Sequence, residues 1–349
     1  MSFHQLPPEI LLHILRSLGS AFFRQDLRRL LVSKWWYELA RVVLLQDIHL
    51  SAGSLQRLAL ATNRESVIHS IQDQVITVNL GLDGFENWHS LKLTPTTETS
   101  RVDFTVLSLW TSELNSWLAT LANILQNCTK LQILRLEARP ERHDPRLGLQ
   151  RRDYLMASPL ASLLSIKYLT CLEIDAAGTN LISENNAPSM HICGYINDML
   201  PTLRRLRCRM SSICPQILEA AGKGPLRRLQ DVVINLSLSE LSVSDTSYRY
   251  PSRCVASPGD SFPQLKADME LHAGELVHVM NSPRIVRIVS HTFPGLKMHS
   301  FDAITGRQML LESPAPWDAD GEEVEITTGD NDDDDHVFNS DTSSEEFVI

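Results

Sequence analysis

The chain has 349 residues, enough for one small and one larger domain, and its 43% hydrophobic content is ordinary for a globular protein. No apolar run approaches the roughly 20 residues that span a bilayer. The first residues also lack the basic segment, apolar stretch and small-residue cleavage site of a secretory leader, so an intracellular protein with no membrane anchor is expected. The net charge of −10 is unevenly placed: residues 313–349 hold thirteen acids and no Lys or Arg, leaving 29 acids against all 32 basic residues, a net +3, in residues 1–312.

Residues 6–36 read LPPEILLHILRSLGSAFFRQDLRRLLVSKWW. Pro8 and Glu9 suit the first turn of a helix, where proline loses no hydrogen bond and a carboxylate meets the positive end of the dipole. Ile10, Leu11, Ile14, Leu15 and Leu18 recur at three- and four-residue spacing, and Gly19-Ser20 marks a stop. A second run carries Phe23, Leu27 and Leu30, and a third Trp35, Trp36, Leu39, Ala40 and Val43. Three short helices in about 45 residues enclose little core. The first is apolar around more than half its circumference, which predicts an exposed face awaiting a partner.

Leu6, Pro7, Glu9, Ile10, Leu11, Ile14, Leu15 and Leu18, followed by Leu27, Leu30, Val32, Ser33, Lys34 and Trp36, resemble the F-box. In that family the pattern is Leu-Pro-any-Glu-Ile-Leu, two residues, Ile-Leu, then Leu, with a later Val-Cys-Lys-any-Trp. Ser33 stands here for the commoner cysteine, and Trp35 is an unusual doubling. The resemblance covers about 45 residues. It implies a three-helix domain over residues 1–46 that docks a Skp-type adaptor and, through it, a cullin–RING ubiquitin ligase. The adaptor-facing or supporting set is then Leu6, Pro7, Ile10, Leu11, Ile14, Leu15, Val32 and Trp36, which sequence does not divide into contact and core.

Residues 47–312 carry a loose repeat. Leu131, Leu134 and Leu136 form Leu-x-x-Leu-x-Leu, echoed by Leu169, Leu172, Ile174, by Leu203, Leu206, Cys208, and by Leu229, Val232, Ile234, at intervals of 26 to 38 residues. QVITVNL and SLKLT precede them as alternating strands, while FPQLKADMEL and PGLKMHSF read as degraded versions. Helical patterns lie around 112–127, 152–166, 190–200 and 212–221. The α+β fold expected is thus the three-helix domain, an irregular leucine-rich-repeat-like α/β solenoid, and an acidic tail over 313–349 too charged to fold alone. A non-repetitive α/β domain is the competing reading. Residues 283–306 resemble C-terminal segments of fungal F-box proteins with divergent repeats.

In such strands the intervening residues face outward: Ile133, Arg135, Glu137; Cys171, Glu173, Asp175; Arg205, Arg207, Arg209; Asp231, Val233, Asn235. Arg205, Arg207 and Arg209 are the candidate substrate contacts, since guanidinium forks grip carboxylates or phosphates. Cross-strand ion pairs with Glu173, Asp175 and Asp231 would consume the same charge. The acidic tail folding back over these arginines is a further expectation.

No catalytic, cofactor or metal constellation is apparent. His272, Glu275 and His278 lack the four-residue histidine spacing of HExxH and read as a surface helix. Gly222-Lys223-Gly224 reads as a turn. Asp318, Asp320, Gly321 and the Asp332–Asp335 run lack a calcium-binding loop. The six cysteines (128, 171, 193, 208, 214 and 254) contain no CxxC pair and read as buried thiols, neither disulfides nor zinc ligands. The body is too weakly basic, and too poor in interleaved aromatics, for nucleic acid. The expected function is that of a non-catalytic substrate receptor in an SCF-type ubiquitin ligase. The alternative is an F-box scaffold acting outside ubiquitination. Thr342, Ser343 and Ser344, beside Glu345 and Glu346, are possible acid-directed kinase sites.

Overall fold

A computed structural model describes residues 6–61, 64–86, 93–94, 101–102, 104–140, 153–182, 191–238, 250–255, 261–292, 297–312 and 316–323. Helix α1 (Pro8–Gln25) begins as expected, with Pro8 and Glu9 in its first turn. At Gly19 the helical path breaks, where the sequence places a stop. Its φ of 77° and ψ of 167° are non-helical, a conformation glycine adopts without penalty, and a second helical segment follows the kink. A 3₁₀ turn over Leu27–Leu30 follows, capped by Asp26, whose Oδ1 accepts from Arg28 N at 2.9 Å. Helix α2 (Lys34–Gln46) is capped by Ser33, whose Oγ accepts from Trp36 N at 3.1 Å. Leu11, Leu15, Phe23, Leu30, Ala40 and Val43 form a small core of their own.

Helix α2 runs into strand β1 (Asp47–Ser51) with no residue between them. The joint is also tied by side chains. Asp47 accepts from Ser20 Oγ at 3.0 Å, Arg24 Nη2 at 2.9 Å and Asn79 Nδ2 at 2.8 Å. The helical domain is thereby fixed to the first two strands of the larger domain, not tethered by a flexible linker.

Behind β1 come α3 (Ala52–Leu60), α4 (Arg64–Gln74), β2 (Thr77–Leu82), the short pair β3 (Leu93–Thr94) and β4 (Arg101–Val102), and α5 (Phe104–Leu125). The chain continues through β5 (Ile133–Ala138), β6 (Leu155–Met156), α6 (Ala157–Leu164), β7 (Cys171–Ala176), β8 (Leu181–Ile182), α7 (Cys193–Met199) and β9 (Arg205–Met210). The last elements are β10 (Asp231–Asn235), α8 (Phe262–Val279), β11 (Ile285–Thr292), β12 (Lys297–Asp302), β13 (Arg307–Leu311) and β14 (Glu322–Glu323). One ten-stranded sheet has the order β1-β2-β5-β7-β9-β10-β11-β12-β13-β14, parallel from β1 to β11 and antiparallel thereafter. Parallel strands laid down in chain order, each returning through helix or turn, make an open one-directional winding.

The same backbone bond closes each new repeat. Ile76 N donates to Gln46 O, Gln132 N to Ile76 O, Thr170 N to Gln132 O, Arg204 N to Thr170 O, Gln230 N to Arg204 O, and Arg284 N to Gln230 O, at 2.7–2.9 Å. Side chains alternate as a strand requires. Leu134, Leu136, Leu172, Ile174, Leu206, Cys208, Val232 and Ile234 all face the helices and join one continuous core.

Several expectations are corrected. FPQLKADMEL is the first half of α8, whose Ser261 cap and buried Leu265, Met269, Ala273 and Leu276 follow a helical period. Its Pro263 sits in the first turn, where proline favours a helix start over a strand. Of 212–221, only Pro215–Leu218 forms a 3₁₀ turn. Strand β12, from PGLKMHSF, pairs antiparallel and is not another parallel repeat. SLKLT contributes only the two residues of β3, its other residues lying outside the described ones. Residues 316–323, expected to lie in a tail too charged to fold alone, instead pack on the body and end in β14. The Asp332–Asp335 run and Thr342, Ser343 and Ser344 lie outside the described residues.

Candidate functional site

The structure divides the residues of the helical domain into two groups. Leu11 and Leu15 are fully buried in its core, while Ile10, Ile14 and Leu18 are 50%, 37% and 45% exposed. Spacing of four places the latter three along one stripe of α1. Pro7 is exposed ahead of them and Leu6 half-buried, and Leu27, Leu31 and Val32 are exposed beyond α1. Trp36 is a supporting residue: its Nε1 donates to Arg29 O at 2.6 Å, and Arg29 lies 4.1 Å over the Phe22 ring. Among the described residues, the small helical domain thus leaves an unusually large set of apolar side chains in water.

On the side of the sheet away from the helices, the outward residues are those the repeat spacing predicts. Arg135 and Glu173 pair at 2.7 Å, Arg209 and Asp175 at 2.5 Å, and Arg205 and Asp231 at 3.2 Å. A groove of about 760 Å³ runs along this face, lined by Asn79, Asp83, Arg135, Glu137, Arg207 and Trp317 among others. All three candidate arginines lie on β9, and each is already engaged. Arg205 binds Asp231, Arg209 binds Asp175, and Arg207 binds Asp318. Cross-strand pairing and the folded-back acidic segment thus both occur.

That segment, 316–320, is a strap across the end of the face. Trp317 lies 5.0 Å beneath the Arg209 guanidinium, and it packs with Ala319 against Val233, Val289 and Leu311. Arg287, only 8% exposed, donates to Asp318 O at 3.1 Å and to Asp320 at 2.7 Å. Gly321 then turns the chain at φ 71°, where a Cβ would meet Leu310 O at 2.5 Å. The strap covers Val233, and Asp231 and Asn235 are buried as well, so that none of the three is the open residue that strand alternation predicts.

Asp231 links neighbouring repeats through two arginines. Its side chain is 6% exposed and takes bonds from Arg205 Nε and, at 2.8 Å, Arg284 Nε. Burial pushes its carboxyl up, but hydrogen bonds from Arg284 and Arg205 outweigh this and hold it below the usual 3.8. A depressed folded pKa stabilises above 3.8, and the contribution is lost as pH falls through the lower folded value. Asp231→Ala should cost about 2–3 kcal/mol near neutral pH and correspondingly less in acid. Urea midpoints of wild type and variant, compared between about pH 6 and pH 3, check both the size and the sign.

The cysteines, unremarkable in sequence, are brought together by the fold. His191, Cys193, Cys214 and Cys254 place one ligand atom each within 4.8 Å of every other. Cys193 and Cys254 Sγ stand 3.6 Å apart, and Cys214 Sγ stands 3.7 Å from His191 Nδ1. The neighbouring Cys193 and Cys254 thiols, with His191 nearby, hold the Cys214 thiol well below its usual range, whereas the same neighbours together with burial push Cys193 up. The sequence signal was faint: two ligands lie two residues apart, and the others come from separate repeats. Cys128, Cys171 and Cys208 remain outside the group, and burial is the leading cause of their raised pKa values. His272, Glu275 and His278 lie on α8 and form no such group among the described residues.

Comparison with known proteins matches residues 3–51 to the F-box-like family. No curated protein sequence matches the chain. No described helix is long and apolar enough to cross a membrane.

Proposed function

We propose that this chain, which carries an F-box-like domain at residues 3–51, is the substrate-recognition subunit of an SCF-type cullin–RING ubiquitin ligase. It docks a Skp-type adaptor through Pro7, Ile10, Ile14, Leu18 and Val32, with Leu11, Leu15 and Trp36 holding that face in place and Leu6 beside it. F-box proteins are generally non-catalytic subunits of such ligases, and the chemistry belongs to the recruited conjugating enzyme. This chain's part is geometric. A substrate held on the body is presented at high effective concentration to a donor thioester. The direct α2–β1 joint and the Asp47 clamp support this reading, because a stiff connection preserves that geometry.

The observation that carries the proposal is the F-box-like domain with its apolar stripe exposed. The substrate surface is the face bearing the groove, built on divergent leucine-rich-repeat-like units. Arg207 lines the groove and is placed to exchange Asp318 for an acidic or phosphorylated side chain of the substrate, while Arg205 and Arg209 order the wall around it. On this reading the strap competes with substrate. Replacing Trp317 and Asp318 together with alanine should tighten binding of a captured substrate about fivefold or more. Arg207→Ala should weaken it. Equal affinities for wild type and both variants in a pull-down titration would remove the strap and Arg207 from recognition.

The ligase role is tested by substrate turnover. A ligase receptor predicts a bound partner whose half-life lengthens when this chain is deleted. An F-box scaffold outside ubiquitination predicts unchanged half-lives for every bound partner.

A further inference from the structure

We propose that His191, Cys193, Cys214 and Cys254 bind one zinc(II) ion that staples three repeats of the body together.

The geometry is that of a ligand set. Tetrahedral zinc with Zn–S near 2.3 Å and Zn–N near 2.0–2.1 Å separates its ligands by about 3.8 Å between sulfurs and about 3.6 Å between sulfur and nitrogen. The observed S–S distance of 3.6 Å and S–N distance of 3.7 Å lie within about 0.2 Å of those values. The remaining pairs lie within 4.8 Å, so closure on an ion needs shifts of an ångström or less. Three sulfurs and one imidazole form a Cys₃His set, one of the closed structural combinations zinc takes. Hard cations prefer oxygen donors, and none is part of this group.

Each ligand is held by local structure. Cys193 is the first residue of α7, and the buried Ile192 fixes it relative to His191. Cys214 stands at the start of the 3₁₀ turn Pro215–Leu218, where Pro215 in the first turn fixes the backbone that follows it. Cys254 arrives on a segment paired with the strand exit after β9. Ser252 N donates to Ser211 O, and Ile213 N donates to Ser252 O, both at 2.9 Å. Segments 40 residues apart, which carry Cys214 and Cys254, are thereby juxtaposed before any ion is considered.

Two other readings fit less well. A Cys193–Cys254 disulfide needs its sulfurs near 2.05 Å, and it would give no role to Cys214 or to the imidazole aimed at it. Ordinary thiol packing explains Cys208, which sits fully buried among apolar side chains, but not a polar ring nitrogen converging with three sulfurs. On binding, zinc displaces the remaining thiol protons to solvent. Three thiolates, a neutral imidazole and the dication leave one net negative charge. The ion ties the loops leaving β7, β9 and β10, beside the strands that carry the arginines and Asp231. It therefore fixes the spacing of the recognition face without entering the groove, and it stands independently of the ligase assignment.

The test is metal analysis of the full chain purified without chelator. Wild type should carry zinc at one ion per chain by plasma mass spectrometry. A cobalt-substituted sample should show tetrahedral ligand-field bands with thiolate charge transfer. Cys214→Ser and Cys254→Ser should lower zinc content at least about tenfold, whereas Cys128→Ser and Cys171→Ser should not change it. Should the serine variants fail to fold, His191→Cys supplies the second measurement: it should keep zinc, and its cobalt form should gain thiolate charge-transfer intensity. Substoichiometric zinc in wild type with no cobalt spectrum would overturn the site. A Cys193–Cys254 disulfide in protein alkylated before digestion would do so too. So would undiminished zinc in soluble, folded Cys214→Ser and Cys254→Ser.

Discussion

Ile10→Asp combined with Ile14→Asp should abolish co-purification of the proposed Skp-type adaptor while leaving the chain folded. Both side chains are substantially exposed, at 50% and 37%, so neither substitution opens a cavity in the small helical core. On docking, however, each carboxylate would lose its water without gaining a partner. Central interface residues typically cost 2 kcal/mol or more when merely truncated, and an unpaired buried charge costs more. Together the two should weaken binding by a factor of about 1,000 or more. Circular dichroism and the thermal midpoint should match wild type within about 2 °C, as expected for surface changes. Binding within tenfold of wild type would place the adaptor elsewhere.

Leu11→Ala with Leu15→Ala should give the same loss of adaptor by a different route. Both leucines are fully buried against Phe23, Leu30, Ala40 and Val43. Each truncation should cost about 2–5 kcal/mol, which in sum exceeds what so small a core supplies. Protease sensitivity should rise within residues 6–46 while the sheet domain, built on its own continuous core, keeps its midpoint. If the variant resists protease and still loses the adaptor, Leu11 and Leu15 are contacts, and the division drawn from burial is wrong. The two double variants thus separate the docking face from its support, a distinction that one apolar periodicity cannot express.

What could be read in the sequence was what local rules decide. The spacing of Ile10, Leu11, Ile14, Leu15 and Leu18 located a helix with more apolar surface than its domain could bury, and the exposed stripe is that surplus. The alternation in Leu131, Leu134, Leu136 and its echoes placed Arg135, Glu173 and Arg207 on the outer face, because strand geometry leaves no other choice. Long-range closure was legible only in outline, as an acidic segment folding back over the arginines of β9. Nothing near Asp318 announces that it will meet Arg207, 111 residues away, or that Trp317 will cover Val233 and Val289. The compositional acidity of 313–349 argued for a chain unable to fold alone, which says nothing about a segment that folds onto a preformed sheet. FPQLKADMEL failed for a related reason: a short apolar run fits either period, and the buried positions continuing to Ala273 and Leu276 settle it as helix. The His191–Cys254 group is the extreme case, assembled from separate repeats with no sequence spacing to reveal it.

The central claim is that one end of this chain holds a ligase adaptor while the other holds the protein to be destroyed. It is tested most directly by quantitative affinity purification of wild type and of the Ile10→Asp/Ile14→Asp variant, followed by pulse-chase of whatever both retain. The adaptor and cullin should be present with wild type and absent from the variant, and at least one protein bound equally by both should live longer in cells carrying only the variant. Adaptor retained by the variant, or unchanged half-lives for every shared partner, would contradict the account.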